Sequence, residues 1–307
     1  VRARPGEAGG WSPPGGAGGE AGDGFGGYGV EPDTVLDGPR DLGLATRYVG
    51  RRVHYFSTVG STSTALKVLA EEGAAPGTVV LADEQTHGRG RSGRTWHSPC
   101  CGGVWMSVLF ECDLPAERLA PLSVASAVAT AEALGEMAGL DVRVKWPNDL
   151  LVGGRKLGGL LVEAAQTSGG SVQSAVLGVG LNVDLAESDL PEELRGAATS
   201  LAAETGHPVS RLDVLRTVLP ALETCYENFQ RDGVDGFRER WRGLSSTLSC
   251  EVTVAPGTGD APDVTGTVVD LSEIGALVVE ETSGGRREIW FGDVKLRATE
   301  SRGCDDD

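Results

Sequence analysis

Apolar residues recur at two spacings along the chain, every second position and every third or fourth, and the switching between them predicts a mixture of strands and helices. Residues 51–57 (Arg-Arg-Val-His-Tyr-Phe-Ser) read as a strand, Ser61-Thr62-Ser63 as a turn and helix cap, and residues 65–72 as a short helix. A second strand over 78–83 runs into a glycine-rich loop, and residues 103–111, with Val104, Trp105, Val108, Leu109 and Phe110, form the next. Residues 116–139 are alanine-rich and apolar at helical spacing, which predicts a long buried helix ending at Gly139. Strands follow at 142–146, 150–152, 156–165 and 171–184, with Gly153-Gly154 suited to a hairpin turn. Helices are predicted at 214–231, which carries Leu215, Val218, Leu219, Leu222, Tyr226 and Phe229 on one face, and at 236–242.

From residue 248 onward the pattern changes to short strands (248–254, 264–270, 276–281, 286–291) separated by Gly, Pro and Asp. That is the signature of a small β-barrel or a similar all-β module, with a boundary near residue 244. Residues 1–30 hold 12 glycines and no periodicity, so they read as a disordered tail. Residues 31–50 read as a linker, and 301–307 as an acidic tail.

Composition narrows the function. The chain has 307 residues, 40% of them hydrophobic, which supports a real core. With 44 acidic against 27 basic residues, its formal charge is −17. That balance argues against DNA binding and against an anionic membrane surface, so any anion has to be met locally. No apolar run is long enough to span a membrane, and a cytoplasmic location is inferred. The six cysteines show no C-x-x-C spacing, so neither a zinc site nor that redox motif is supported and free thiols are expected.

Against this background Gly88-Arg-Gly-Arg-Ser-Gly-Arg94 stands out, because it packs three arginines and three glycines into seven residues. Guanidinium forks match carboxylate and phosphate oxygens in pairs, so the loop reads as an anion clamp, with a solvated basic loop as the plainer alternative. Its Gly-x-Gly-x-x-Gly spelling is not read as a dinucleotide site, because no helix opens after it. Val144-Lys-Trp-Pro-Asn-Asp149 sets a lysine, rare in this chain, at a strand end beside a rigid turn. Such a turn could hold the lysine against a phosphate and Asp149 against Mg²⁺; a plain Pro-Asn-Asp turn is the alternative. Glycine pairs inside two strands, at Gly158-Gly159 and at Gly178 and Gly180, imply close approach of a ligand or another backbone, or else a bulge or barrel corner.

Together with Trp96, Ser98-Pro99, Lys156-Leu-Gly-Gly159, Gly178-Val-Gly-Leu-Asn182 and Trp290 with Gly292-Asp-Val-Lys-Leu-Arg297, these motifs resemble the biotin–protein ligases over about residues 50–297. The resemblance implies an α+β fold, with a mixed β-sheet catalytic domain of class II synthetase type over 51–244 and an SH3-like β-barrel over 245–300. It also implies ATP-dependent ligation of biotin to a lysine of a biotin carboxyl carrier domain through biotinyl-5′-AMP, with ATP and Mg²⁺ as cofactors. Carried over by motif position, Ser61, Thr62, Ser63 and Gln85 line the biotin pocket, while Arg89, Gly90 and Arg91 cover the biotin carboxylate and adenylate. Lys145 bridges the reacting carboxylate and phosphate, Arg94 meets the triphosphate, Asn182 and Trp290 face the adenine, and Asp149 belongs to the Mg²⁺ shell. Lys145, Arg91 and Arg89 are the expected catalytic residues. Ser63 stands where the family usually has Asn. A lipoate ligase or octanoyltransferase is the runner-up, a DNA-binding biotin sensor is disfavoured, and a homodimer stays open.

Overall fold

The computed structural model describes residues 31–115, 119–168, 171–255, 263–290 and 292–296. The expected tails at 1–30 and 301–307 lie outside the described residues. The strands β1 (Thr34–Asp37), β2 (Arg52–Val59), β3 (Val79–Gln85), β4 (Gly103–Pro115), β5 (Arg143–Lys145), β6 (Asp149–Val152), β7 (Arg155–Ser168) and β8 (Ser171–Asn182) form one eight-stranded sheet in the order β1-β2-β3-β4-β8-β7-β6-β5. Only β2 and β3 run parallel, which makes the sheet mixed. Their connection is the helix α1 (Thr62–Glu71), as a parallel crossover requires.

Side chains alternate between the two faces of the sheet. Val80, Ala82, Leu109 and Val176 point to one face and bury Ala65, Leu66, Leu69 and Ala70 of α1. Val79, Leu81, Val108, Phe110 and Leu177 point to the other, where α2 (Leu119–Ala138) and α4 (Arg211–Asp232) close the main core. Twelve of the α2 residues are buried, consistent with its alanine-rich, nearly all-apolar sequence. Two short helices, α3 (Leu201–Thr205) and α5 (Arg238–Leu244), complete this layer. The Gly153-Gly154 hairpin forms as expected, both residues at positive φ (+55° and +78°) between β6 and β7.

Residues 31–50 are not a linker. They contribute β1 to the sheet edge, and Leu36, Leu42, Leu44 and Val49 are buried in the main core. The buried carboxylate of Glu223 on α4 anchors their end by accepting the backbone N–H groups of Arg47, Tyr48 and Val49, each at 2.8 Å. Burial alone would raise the Glu223 carboxyl, but these three donors outweigh it and hold it below its ordinary value. Its four apolar anchors follow neither periodicity, so apolar spacing does not reveal the segment.

The C-terminal module is a second, antiparallel sheet of five strands, β9 (Glu251–Ala255), β10 (Val264–Leu271), β11 (Leu277–Glu281), β12 (Arg286–Ile289) and β13 (Asp293–Leu296). Its order is β12-β11-β10-β9-β13, consistent with an SH3-like domain; among the described residues no pairing of β12 with β13 closes it into the expected barrel. Ser245 and Ser246 pair with Val144, and Arg242 on α5 binds Asp270 on β10, so the module is fastened to the eight-stranded sheet beside β5.

Candidate active site

A cavity of about 470 Å³ opens where β5, β7 and β8 meet the α1 N-terminus, within the size range of small-molecule sites. Ser61, Thr62, Ser63, Gln85, Arg89, Gly90, Arg91, Arg94, Lys145, Asp149 and Asn182 all line it. Trp290, half-buried just beyond β12, is not among the lining residues, although Gly292 to Lys295 are.

At one end Ser61 caps α1 with extended backbone (φ −158°) and makes no side-chain cap bond. Gln85, the last residue of β3, accepts through Oε1 the Thr62 backbone N–H at 2.9 Å and the Thr62 hydroxyl at 3.0 Å, and donates through Nε2 to Ser98 Oγ at 2.9 Å. The Thr62 and Ser63 hydroxyls both reach Ser107 Oγ on β4, at 2.8 and 3.0 Å. This buried polar network fixes the helix start to two neighbouring strands. The strand glycines make its closeness possible: a Cβ on Gly178 would lie 2.8 Å from Ser63 Oγ, and one on Gly180 2.6 Å from Trp96 Nε1. The close approach inferred from the sequence is thus by side chains of the protein itself.

The arginine loop is a small hairpin. Trp96 N–H donates to Gly88 O at 2.9 Å, Gly90 N–H to Arg94 O at 2.7 Å, and a tight turn at Arg91–Gly93 places Ser92 and Gly93 at positive φ. Each of its arginines meets a different element. Arg89 binds Glu163 on β7 at 2.8 Å, and Lys67 of α1 shares the same oxygen at 3.3 Å. Arg91 reaches Asn148 Oδ1 at 3.5 Å and Gly292 O at 3.3 Å. Arg94 grips both carboxylate oxygens of Asp293 at the start of β13. Burial lowers the Arg91 pKa from its ordinary value, partly offset by Asp293 and Asp149.

Lys145 ends β5, and the turn that follows contains a cis Trp146–Pro147 peptide. Asn148 is buried there and donates to Leu160 O at 2.6 Å. Asp149 is paired with Lys156 at 2.6 Å, whereas no carboxylate among the described residues pairs with Lys145. Lys156 also lies over the Trp96 ring, 5.2 Å from its centroid. Trp96 in turn meets Trp105 edge to face at 6.4 Å. Leu190, Leu194, Ala197 and Ala198 add apolar lining to the cavity. Asn182 lines it too, its amide donating to Thr199 O at 2.9 Å. The lining from 190 to 198 escaped the sequence reading, since two short helical turns with scattered leucines carry no periodic signal. Trp96, Asn148 and Gly292 to Val294 did carry one, as parts of motifs already singled out.

Two apposed anions and an apolar end would suit this cavity. The biotin/lipoate A/B protein ligase family model matches residues 55–182, the stretch that builds most of the site. The bifunctional ligase/repressor BirA of Bacillus subtilis is 32% identical over 266 residues, covering 87% of this chain and 80% of that protein. This chain belongs to the biotin protein ligases. The biotin–[acetyl-CoA-carboxylase] ligase of Mycobacterium tuberculosis is also 32% identical to this ligase, over 77% of the chain and 85% of the relative. Among solved structures, the Aquifex aeolicus biotin protein ligase in complex with biotin and ATP superposes with a TM-score of 0.67 at 32% identity, over 80% of this ligase and 98% of that chain. No helix among the described residues of the ligase is long and apolar enough to cross a membrane.

Proposed function

We propose that this ligase joins biotin to a lysine of a biotin carboxyl carrier domain in two steps through biotinyl-5′-AMP. The observation that carries the reading is the Lys145 ammonium: it lines the cavity with no carboxylate partner among the described residues, opposite a loop of three arginines. In a chain of charge −17, cations gathered on one cavity are there to offset anions that must be brought together.

In the first step a biotin carboxylate oxygen attacks the α-phosphorus of ATP. One O–P bond forms, the bond from the α-phosphorus to the bridging oxygen breaks, and pyrophosphate leaves. Lys145 stabilises negative charge on both reacting groups, Arg89 and Arg91 cover the carboxylate and the adenylate, and Arg94 exchanges Asp293 for the triphosphate. The Ser61 to Ser63 and Gln85 network holds the biotin end, and Asn182 faces the nucleotide. In the second step the carrier lysine's amine attacks the acyl carbon and AMP leaves. Between the steps the arginine hairpin keeps water from the mixed anhydride.

Mg²⁺ characteristically takes one or two carboxylates together with substrate phosphates. Asp149 and Asp293 are the carboxylates on the cavity wall, and no cluster of three metal-ligating side chains exists among the described residues. Such a donor set fits an ion that arrives on ATP, with Asp149 as its protein carboxylate; when bound it neutralises phosphate charge.

Incubation with ATP, Mg²⁺ and either biotin or lipoate, followed by mass spectrometry of the acyl-adenylate, tests the reading. Biotinyl-AMP alone is expected. A lipoyl adenylate, or none at all, would overturn it.

A further inference from the structure

The cavity chemistry leaves unused a pair of adjacent thiols. Cys100 and Cys101 follow Ser98-Pro99 in the turn between the arginine hairpin and β4; both are exposed, and their Sγ atoms lie 2.8 Å apart. Cys101 has φ +65°, in the left-handed region that a side-chain-bearing residue rarely adopts. This strained backbone is pinned on both sides. Cys101 N–H donates to Asp83 O at 3.0 Å, and Pro99 O accepts from Trp105 Nε1 at 3.2 Å.

We propose that Cys100 and Cys101 are a site of reversible oxidation by low-molecular-weight disulfides, closing into a vicinal disulfide that loosens the Gln85 end of the cavity. The sulfurs need to approach by less than an ångström to reach the ~2.05 Å of an S–S bond. One of the two thiols attacks the small disulfide, releasing one small thiol and forming a mixed disulfide; its neighbour then attacks the protein sulfur of that bond and releases the second. Both cysteine S–H bonds break and one S–S bond forms, while the small disulfide takes up two electrons and two protons. Burial and the hydrogen bond between the two thiols push the Cys100 thiol up.

Adjacent Cα atoms stand ~3.8 Å apart, less than the ~4.4–6.8 Å that an unstrained disulfide spans. The ring is therefore strained and readily reduced, as suits a switch in a reducing compartment rather than a structural bridge. Closing it twists the peptide between the two cysteines. Two residues upstream, Ser98 accepts the Gln85 backbone N–H at 3.1 Å and the Gln85 amide at 2.9 Å, and Gln85 in turn holds the start of α1. The effect on biotin rests on the reading of that end of the cavity as the biotin pocket; the ring itself does not.

The test treats the full chain with glutathione disulfide, then maps cysteines by mass spectrometry and measures biotin binding calorimetrically. The expected result is a peptide holding Cys100 and Cys101 lighter by two hydrogens, with biotin affinity reduced ~5- to 10-fold, as for one hydrogen bond lost, and restored by dithiothreitol. The Cys100→Ser, Cys101→Ser double variant should bind biotin like the reduced protein and ignore the oxidant. Stable glutathione adducts without a ring, or a bridge to Cys112, Cys225, Cys250 or Cys304, would overturn the proposal. A ring formed with unchanged biotin affinity would overturn its coupling to Gln85. If the reduced protein bound no biotin, the assignment of the pocket would fail while the mass measurement still decided the ring.

Discussion

The arginine hairpin and the Lys145 turn present cations to the same cavity in opposite ways. Arg89, Arg91 and Arg94 already bind protein groups, on β7, on the turn after β5 and on the C-terminal sheet. Lys145 stands at the end of a short central-domain strand, and its ammonium meets no carboxylate among the described residues. The hairpin's charges are partly neutralised and have to exchange partners when an anion enters; the lysine's charge is ready beforehand. Pre-organised charge lowers a barrier because nothing reorganises at the moment of reaction, whereas exchangeable charge suits a lid that opens and closes.

Removing the ready charge should have the largest effect. Lys145→Ala is expected to reduce biotin-dependent pyrophosphate exchange by ~10²–10³, the scale of one lost transition-state contact. Near-normal exchange would show that the hairpin alone stabilises the reacting groups. Next comes Arg91→Gly, which removes the arginine that links the hairpin to Asn148 and Gly292. Released biotinyl-AMP and labelling of bystander proteins are the expected readouts in a mixed-protein assay, and retained selectivity would deny the hairpin its role as a lid.

A third experiment asks whether the scaffold behind β1 and β2 matters independently of either region. The Glu223 carboxyl is held below its ordinary value, so its stabilising contribution is fully present above about pH 4.5 and declines as pH falls through the lowered folded-state value. Glu223→Gln should reduce stability by ~1–3 kcal/mol at pH 7 and much less at low pH. Urea denaturation of both proteins at pH 7 and in acid measures this; equal losses at both would mean that the charge is irrelevant. The smallest change is expected for Glu163→Gln, which frees Arg89. That pair is partly exposed, worth ~0.2–1 kcal/mol, so the KM for biotin should shift by less than about fivefold. A larger shift would make Arg89 a charge held in place rather than an exchangeable one.

Much of this was legible in the chain itself. The central strands, the α4 helix and the all-β module follow from apolar spacing, because each buries one face against a layer, and the long α2 follows from a nearly continuous apolar, alanine-rich run that is buried almost all round. The motif residues were legible for a different reason: Gly178 and Gly180 tolerate no Cβ beneath Ser63 and Trp96, and that demand leaves its mark in the sequence. The β1 segment was not legible, since it is fixed by a carboxylate 174 residues beyond Val49 and by scattered leucines. Trp290 does not line the cavity that Gly292 to Lys295 of the same motif line, because a motif gives proximity along the chain and not a shared surface.

Residue types and their spacing on their own set out the strands and helices, a loop dense in arginine and glycine, and a lysine apart from it, and the motifs they form carry the resemblance to the biotin ligases that implied the mixed sheet. These are local properties, set by periodicity, glycine and charge. Only the tertiary structure decided which carboxylate each arginine holds, that Lys145 holds none among the described residues, and that Cys100 and Cys101 sit two residues from the Gln85 anchor. Those depend on which distant strands fold side by side, and hydrogen bonds and ion pairs at about 3 Å leave no periodic trace in a sequence.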